Sequence, residues 1–87
     1  GLTNAQREDL DLIVDDSVAD LVRRALAGGA PMFVAGHEVD GEPLEAAWPQ
    51  RHVAIVKDGD PVPAGWDARP AGAWTLEELL ETLRSTS

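Results

Sequence analysis

The chain has 87 residues, with 7 Lys or Arg against 16 Asp or Glu, which gives a formal net charge of −9. Such a chain lacks the basic patch that neutralises nucleic-acid phosphates or anionic lipid headgroups, so we expect no nucleic acid and no membrane as partner. Its apolar runs are a few residues long, far short of the roughly 20 that span a bilayer. It has no cysteine, which excludes disulfides and thiolate chemistry. The N-terminus shows no signal-peptide core, so we expect a cytoplasmic location.

We predict one small α+β domain over residues 1–87, which begins with a long helix over residues 5–27. Thr3 and Gln6 have the spacing of a capping box, and Gly28-Gly29 ends the pattern. Acidic residues crowd the first half of this segment, which suits the positive end of a helix dipole. Apolar residues recur with the spacing of one helical face, at Leu10, Ile13, Val14, Val18, Leu21, Val22, Ala25 and Leu26.

Leu12 lies opposite this apolar face, where Asp9, Asp16 and Asp20 surround it on a helix. A single exposed leucine is common on protein surfaces. The alternative is a contact with another chain, and we predict these four residues as one partner-binding surface. A helix of this length is roughly 35 Å long, more than the width of so small a domain, so self-association through it is a further hypothesis.

A three-stranded antiparallel meander is predicted over residues 32–57. The first strand runs through Met32–Val39 to Asp40-Gly41, a residue pair typical of a tight hairpin turn. The chain returns through Leu44–Trp48. The third strand, His52–Lys57, shows little alternation between apolar and polar residues, which indicates a central strand that is covered on both faces.

A Pro/Trp-rich loop is predicted over residues 58–74, because its three prolines and three glycines disfavour pairing inside a sheet. Trp66 and Trp74 lie in this segment and, like Trp48, need a surface to cover. They either fold back over a thin core, with each indole N–H bound to a carbonyl, or form a partner-binding surface. In the second case Pro61-Val62-Pro63 presents Trp66 beside Trp48, as a groove for a partner's side chain.

A short C-terminal helix is predicted over residues 76–84. Thr75 and Glu78 form a second capping box just before it. Its apolar face is formed by Leu76, Leu79, Leu80 and Leu83, and because so short a helix is unstable alone, this face must pack on the rest of the domain.

Trp48-Pro49, followed by Val62–Trp66 and then a helix, resembles the MbtH-like proteins, small acidic partners of nonribosomal-peptide adenylation domains. The resemblance covers about Phe33–Leu83 and implies three strands, a helix and two tryptophans that receive an alanine of the partner. Here a predicted strand separates the two motifs, which lie close together in that family, and Ala46-Ala47 replace the serine before its Trp-Pro. The resemblance suggests an accessory activator of a larger enzyme.

No set of residues has the pattern of a catalytic site, and we predict that the protein is not an enzyme. Its serines lie in the first helix or the C-terminal tail, and no glycine-rich loop leads into a helix with a lysine. His37, Glu38, Asp40 and His52 carry metal-binding groups, but their spacing fits no standard ligand set. A strand would also place His37 and Glu38 on opposite faces. We therefore predict no metal and no cofactor.

The favoured function is a small acidic, non-catalytic protein–protein interaction module, whose partner is another protein. Three alternatives stay open beside it. The first is the accessory activator described above. The second is an acidic inhibitor or nucleic-acid mimic that occupies a basic cleft, and the third is a structural component of a phage or secretion assembly.

Overall fold

The computed structural model of the chain describes residues 4–13 and 15–85, and it has an α+β fold, which confirms the predicted class. The four-stranded sheet has the order β1-β4-β5-β6, in which β4 is antiparallel to both neighbours and β5 is parallel to β6. A separate hairpin contains β2 and β3. The elements are α1 (Asn4–Asp11), α2 (Asp16–Ala27), β1 (Val34–Ala35), β2 (Glu38–Val39), β3 (Glu42–Pro43), β4 (Ala46–Trp48), β5 (Val53–Val56), β6 (Asp67–Pro70) and α3 (Leu76–Ser85).

The prediction of one long helix over residues 5–27 is wrong, because the segment divides into α1 and α2. Asp15 has an extended backbone and caps α2, and its Oδ1 accepts hydrogen bonds from the N–H groups of Ser17 and Val18 at 2.9 and 3.4 Å. A short acidic side chain that binds nearby N–H groups competes with continuation of a helix. The break also lets Ile13 enter the core, where it is 6% exposed.

The helices α2 and α3 pack against one another on one face of the sheet. The apolar face of α2 buries Val18, Leu21, Val22 and Ala25. The helix α3 begins at the predicted capping box, where the Glu78 N–H donates to Thr75 Oγ1 at 3.0 Å. The other predicted capping box, from Thr3 to Gln6, rests on side chains outside the described part of the chain.

The predicted meander over residues 32–57 is correct in strand direction but wrong in detail. Gly36 has a φ of +68° and turns the chain out of the sheet after β1. The hairpin of β2 and β3 is therefore inserted between β1 and β4, and its tight turn lies at Asp40-Gly41 as predicted, with φ values of +53° and +83°. A hydrogen bond of 2.8 Å from the Leu44 N–H to the His37 carbonyl closes the insertion.

The segment over residues 58–74 is not entirely a loop, because it contains β6. This strand pairs in parallel with β5, in a register that runs from Val53–Asp67 to Val56–Pro70. It lies at the end of the sheet, where a proline needs no partner for its missing N–H. The strand β5 lies between β4 and β6 with all four residues buried, which confirms the predicted central strand.

Each face of the sheet covers a separate apolar cluster. The cluster on the helix side includes Phe33, Trp48, Val53, Ile55, Trp74, Leu79 and Leu83. The cluster on the other side contains Leu44, Ala47, Ala54, Val56 and Ala68, with Val39 and Trp66 packed against it. The second cluster is small because alanines supply three of its five buried residues, and it depends on the hairpin and on Trp66 for cover.

Candidate functional site

Trp48 and Trp74 are parts of the core. Trp48 is 2% exposed and its Nε1 donates to the Pro31 carbonyl at 2.7 Å. Trp74 is 5% exposed, and its Nε1 donates to the Ala54 carbonyl at 3.1 Å. A buried indole gains from such a bond because its N–H would otherwise lose its water partner. For these two residues the structure has the arrangement in which tryptophans fold back over a thin core.

Trp66 lies elsewhere, half-buried over the second apolar cluster. Its ring stacks on the ring of His52, with centroids 5.2 Å apart, and lies 5.9 Å from the ring of His37. Trp48 belongs to the cluster on the opposite face of the sheet. The structure therefore does not form the predicted groove between Trp48 and Trp66, and the binding role of Trp66 and Trp74 stays a prediction.

The rings of His37 and His52 both lie against the ring of Trp66. This cluster is not evident from the sequence, because His37 and His52 come together only when the hairpin of β2 and β3 and the strand β5 take their places in the fold. Among residues 4–13 and 15–85, no three His, Cys, Asp or Glu side chains lie close enough together to hold a metal ion.

The predicted surface around Leu12 is divided between two helices. Leu12 is 67% exposed and lies in the turn after α1, where its N–H donates to the carbonyl of Asp9 at 3.1 Å. Asp16 and Asp20 lie on α2, and the Asp20 carboxylate forms ion pairs with Arg23 and Arg24. These residues do not form one helical face, and their part in binding remains a prediction.

Arg69 connects the end strand β6 to α3. Its guanidinium contacts Asp67 and Glu78 at 2.9 and 3.0 Å and lies 4.2 Å from the centroid of the Trp74 ring. Hydrogen bonds to Asp67 and then to Glu78 raise the pKa of Arg69 above its ordinary value. It therefore stays cationic, and its contacts indicate a structural role, since its charge is already matched by two carboxylates.

An apolar groove of about 410 Å³ opens beside β1 and the turn that follows β4. Its lining residues are Pro31, Met32, Val34, Trp48, Pro49, Gln50 and Arg51. Five of these seven side chains are apolar and none is acidic, although the chain carries 16 acidic residues. Met32 and Val34 are 42% and 44% exposed, among the few large apolar side chains that the structure leaves open to solvent.

The groove is not among the sites predicted from the sequence, although one feature of the sequence indicates it. Met32 and Val34 are exposed on either side of the buried Phe33, and this alternation is that of an extended chain with Met32 and Val34 on the face opposite to Phe33. The groove needs Trp48 and Pro49 as its other wall, and these residues come next to β1 only through the pairing of β1 with β4.

Two elements next to β1 carry acidic residues. The helix α1 packs against β1 and carries Glu8, Asp9 and Asp11. The hairpin of β2 and β3 begins three residues after β1 and has exposed acidic side chains at Glu38, Asp40 and Glu42. An apolar groove on an acidic chain is compatible with a protein interface, which has an apolar centre and a polar rim.

No family model, no curated protein and no solved structure matches the chain. The resemblance to the MbtH-like proteins therefore stays a prediction from the Trp-Pro and Val-Pro-x-Gly-Trp motifs. None of the described helices combines the length and the apolar character needed to cross a membrane.

Proposed function

We propose that this chain is a small, acidic, non-catalytic protein-interaction module, which receives an apolar side chain of a basic partner protein in the groove beside β1. The exposure of Met32 and Val34 in that groove carries the proposal. Removing apolar area from water stabilises a complex by about 25 cal/mol per Å² of surface. Two adjacent side chains that are each more than two-fifths exposed thus offer a partner a favourable contact.

The wall of the groove is preorganised. The indole N–H of Trp48 is bound to the Pro31 carbonyl, so this hydrogen bond joins two lining residues and fixes one side of the groove. Pro31 and Pro49 further restrict the backbone on both sides. A site that is already ordered binds more tightly, since less conformational entropy is lost on association.

Charge favours a basic partner over a second copy of the chain. Each copy carries a net charge of −9, so two copies repel one another while a basic protein is attracted. The hypothesis of self-association was motivated by the length of the first helix and by Leu12. The division into α1 and α2 removes the first reason, whereas Leu12 is exposed, and self-association stays an untested alternative. An acidic inhibitor of a basic cleft would share this preference, but it would bind through its carboxylates without needing the groove.

A selection with a phage-displayed library of random linear peptides tests the proposal on the intact chain. We expect selected peptides to combine one large apolar residue with several Lys or Arg residues. Val34→Asp places a charge in the groove and should weaken binding of a selected peptide at least about tenfold. Val62→Asp is the matched control, because Val62 is 54% exposed and lies outside the groove.

The control should change the affinity less than about twofold, because it adds the same charge at a distance from the groove. Circular dichroism of both variants confirms that they are folded. Equal binding by the two variants, or a selection that enriches no peptide above background, contradicts the proposed function. Binding that needs the acidic residues but survives Val34→Asp favours the acidic inhibitor instead.

A further inference from the structure

We propose, on the basis of the proposed function, that the partner segment binds as an extended strand along β1 and adds to the four-stranded sheet. The strand β1 lies at one end of the sheet and pairs with β4 on one side. No other strand within the described residues pairs with its second side. An open edge of this kind is a template for main-chain hydrogen bonds with another extended chain.

The two end strands of the sheet differ in how their edges are protected. At the far end, β6 carries Asp67, Arg69 and Pro70. Charged side chains and proline on an edge strand are the usual devices that prevent pairing with another chain. The segment Met32–Ala35 has no charged residue and no proline. Although α1 packs against β1, the edge that lacks charged and proline residues is also the one that borders the apolar groove, so it is the edge used for binding.

Some N–H and C=O groups of β1 lie on the side of the strand that faces away from β4. In an antiparallel pair, neighbouring residues alternate between those that bond the partner strand and those that direct their N–H and C=O outward. Val34 lies opposite Ala47 and Ala35 lies opposite Ala46, so one residue of β1 bonds β4 and the other faces outward. A partner strand would bind these outward groups in the same alternating pattern.

The side chains of the partner segment are constrained by the same geometry. Alternate residues of an added strand point to one face of the sheet, so one large apolar side chain would lie over Met32 and Val34. The chain turns away at Gly36, where φ is +68°. The segment available for pairing is therefore Met32–Ala35, which is β1 and the two residues before it. Lys or Arg residues at the ends of the partner segment would reach the acidic residues of α1 and the hairpin.

An N-methyl scan of the selected peptide tests this mode of binding. N-methylation removes one main-chain donor and adds bulk, and isothermal titration measures the affinity of each modified peptide for the unmodified protein. We expect losses of about tenfold or more at every second position of the bound segment, and less than about twofold at the positions between. Amide hydrogen exchange should also slow within Met32–Ala35 when the peptide binds.

Each outcome decides the proposal. Alternation with a period of two, together with slower exchange in β1, supports strand addition. A peptide that needs the groove but shows no alternation, or protects no amide of β1, overturns strand addition and leaves the proposed function standing. If no peptide binds, both fail. If a peptide binds equally to wild type and Val34→Asp, the proposed function fails, and strand addition at this edge fails with it.

Discussion

Trp74→Phe is the sharpest test of the division of roles among the tryptophans. Trp74 is buried between the sheet and the helices, donates its indole N–H to the carbonyl of Ala54, and lies beneath the guanidinium of Arg69. Phenylalanine keeps an aromatic ring at this position but removes the donor and the second ring. The substitution therefore isolates the contacts that make this residue structural.

The expected cost follows from three contacts. Loss of the hydrogen bond from the indole N–H to the Ala54 carbonyl costs about 0.5–1.5 kcal/mol, because Ala54 lies in the middle of a paired strand. The smaller ring leaves a void that adds about 1 kcal/mol, and the weaker attraction between Arg69 and a phenyl ring adds about 0.5 kcal/mol. We expect Trp74→Phe to lower the free energy of unfolding by about 2–3 kcal/mol. A chain of 87 residues has a total of only about 4–13 kcal/mol, so the effect is large.

Urea denaturation followed by circular dichroism of the helices measures this cost, because tryptophan fluorescence would change with the substitution itself. Trp66→Phe is the control, since Trp66 is half-buried and stacks on His52 at the surface of the second cluster. We expect the control to cost less than about 1.5 kcal/mol. A loss below 1 kcal/mol for Trp74→Phe, or a greater loss for Trp66→Phe, would refute the assignment of Trp74 to the core.

Two further substitutions test the contacts that shape the helices and the end of the sheet. Asp15→Ala should lower the free energy of unfolding by about 1 kcal/mol, whereas Asp15→Asn, which keeps a capping oxygen, should cost less; equal costs in urea denaturation would contradict the capping role. Arg69→Met should cost less than about 1 kcal/mol at low salt because its ion pairs are solvent-exposed. That cost should shrink in 1 M salt, where the screening length is about 3 Å, and a loss independent of salt would show that Asp67 and Glu78 contribute little.

The features that sequence predicted correctly are set by residues close to one another in the chain. The turn at Asp40-Gly41 needs two residues that tolerate positive φ, and both are present in the sequence. The cap of α3 needs Thr75 and Glu78 at a fixed spacing. The central position of β5 follows from four consecutive apolar residues, which a strand can bury when it is covered on both faces.

The features that sequence missed depend on distant partners. The segment over residues 5–27 has the periodicity of one helix. In the sequence, Asp15 is compatible both with a solvent-exposed position within a helix and with an N-cap. Burial of Ile13 adds a core contact that exists only once α1 and α2 have separated. The strand β6 has poor local propensity, with a proline and a charged pair, and it forms because β5 supplies a parallel partner.

The candidate site could be predicted only in part for the same reason. The three tryptophans are unusual in so short a chain, and their number indicated that they matter. Whether two of them share a surface depends on the face of the sheet to which each side chain points, and a shift of one residue in a strand reverses that face. Pairing of Trp48 with Val53 places Trp48 on the helix side, whereas Trp66 lies on the other side.

The net charge of the chain and the exposed apolar surface at β1 both influence which chains can pair with this edge strand. A small chain with an unprotected edge risks pairing with its own copies, and a short strand such as β1 limits that risk without removing it. A net charge of −9 adds repulsion between copies while it attracts basic proteins. The same acidic residues would thus keep the edge free of identical chains and direct it to a basic partner. Neutralising these acidic residues should weaken the binding of a basic peptide. It should also promote self-association, because both effects depend on the negative charge of the chain.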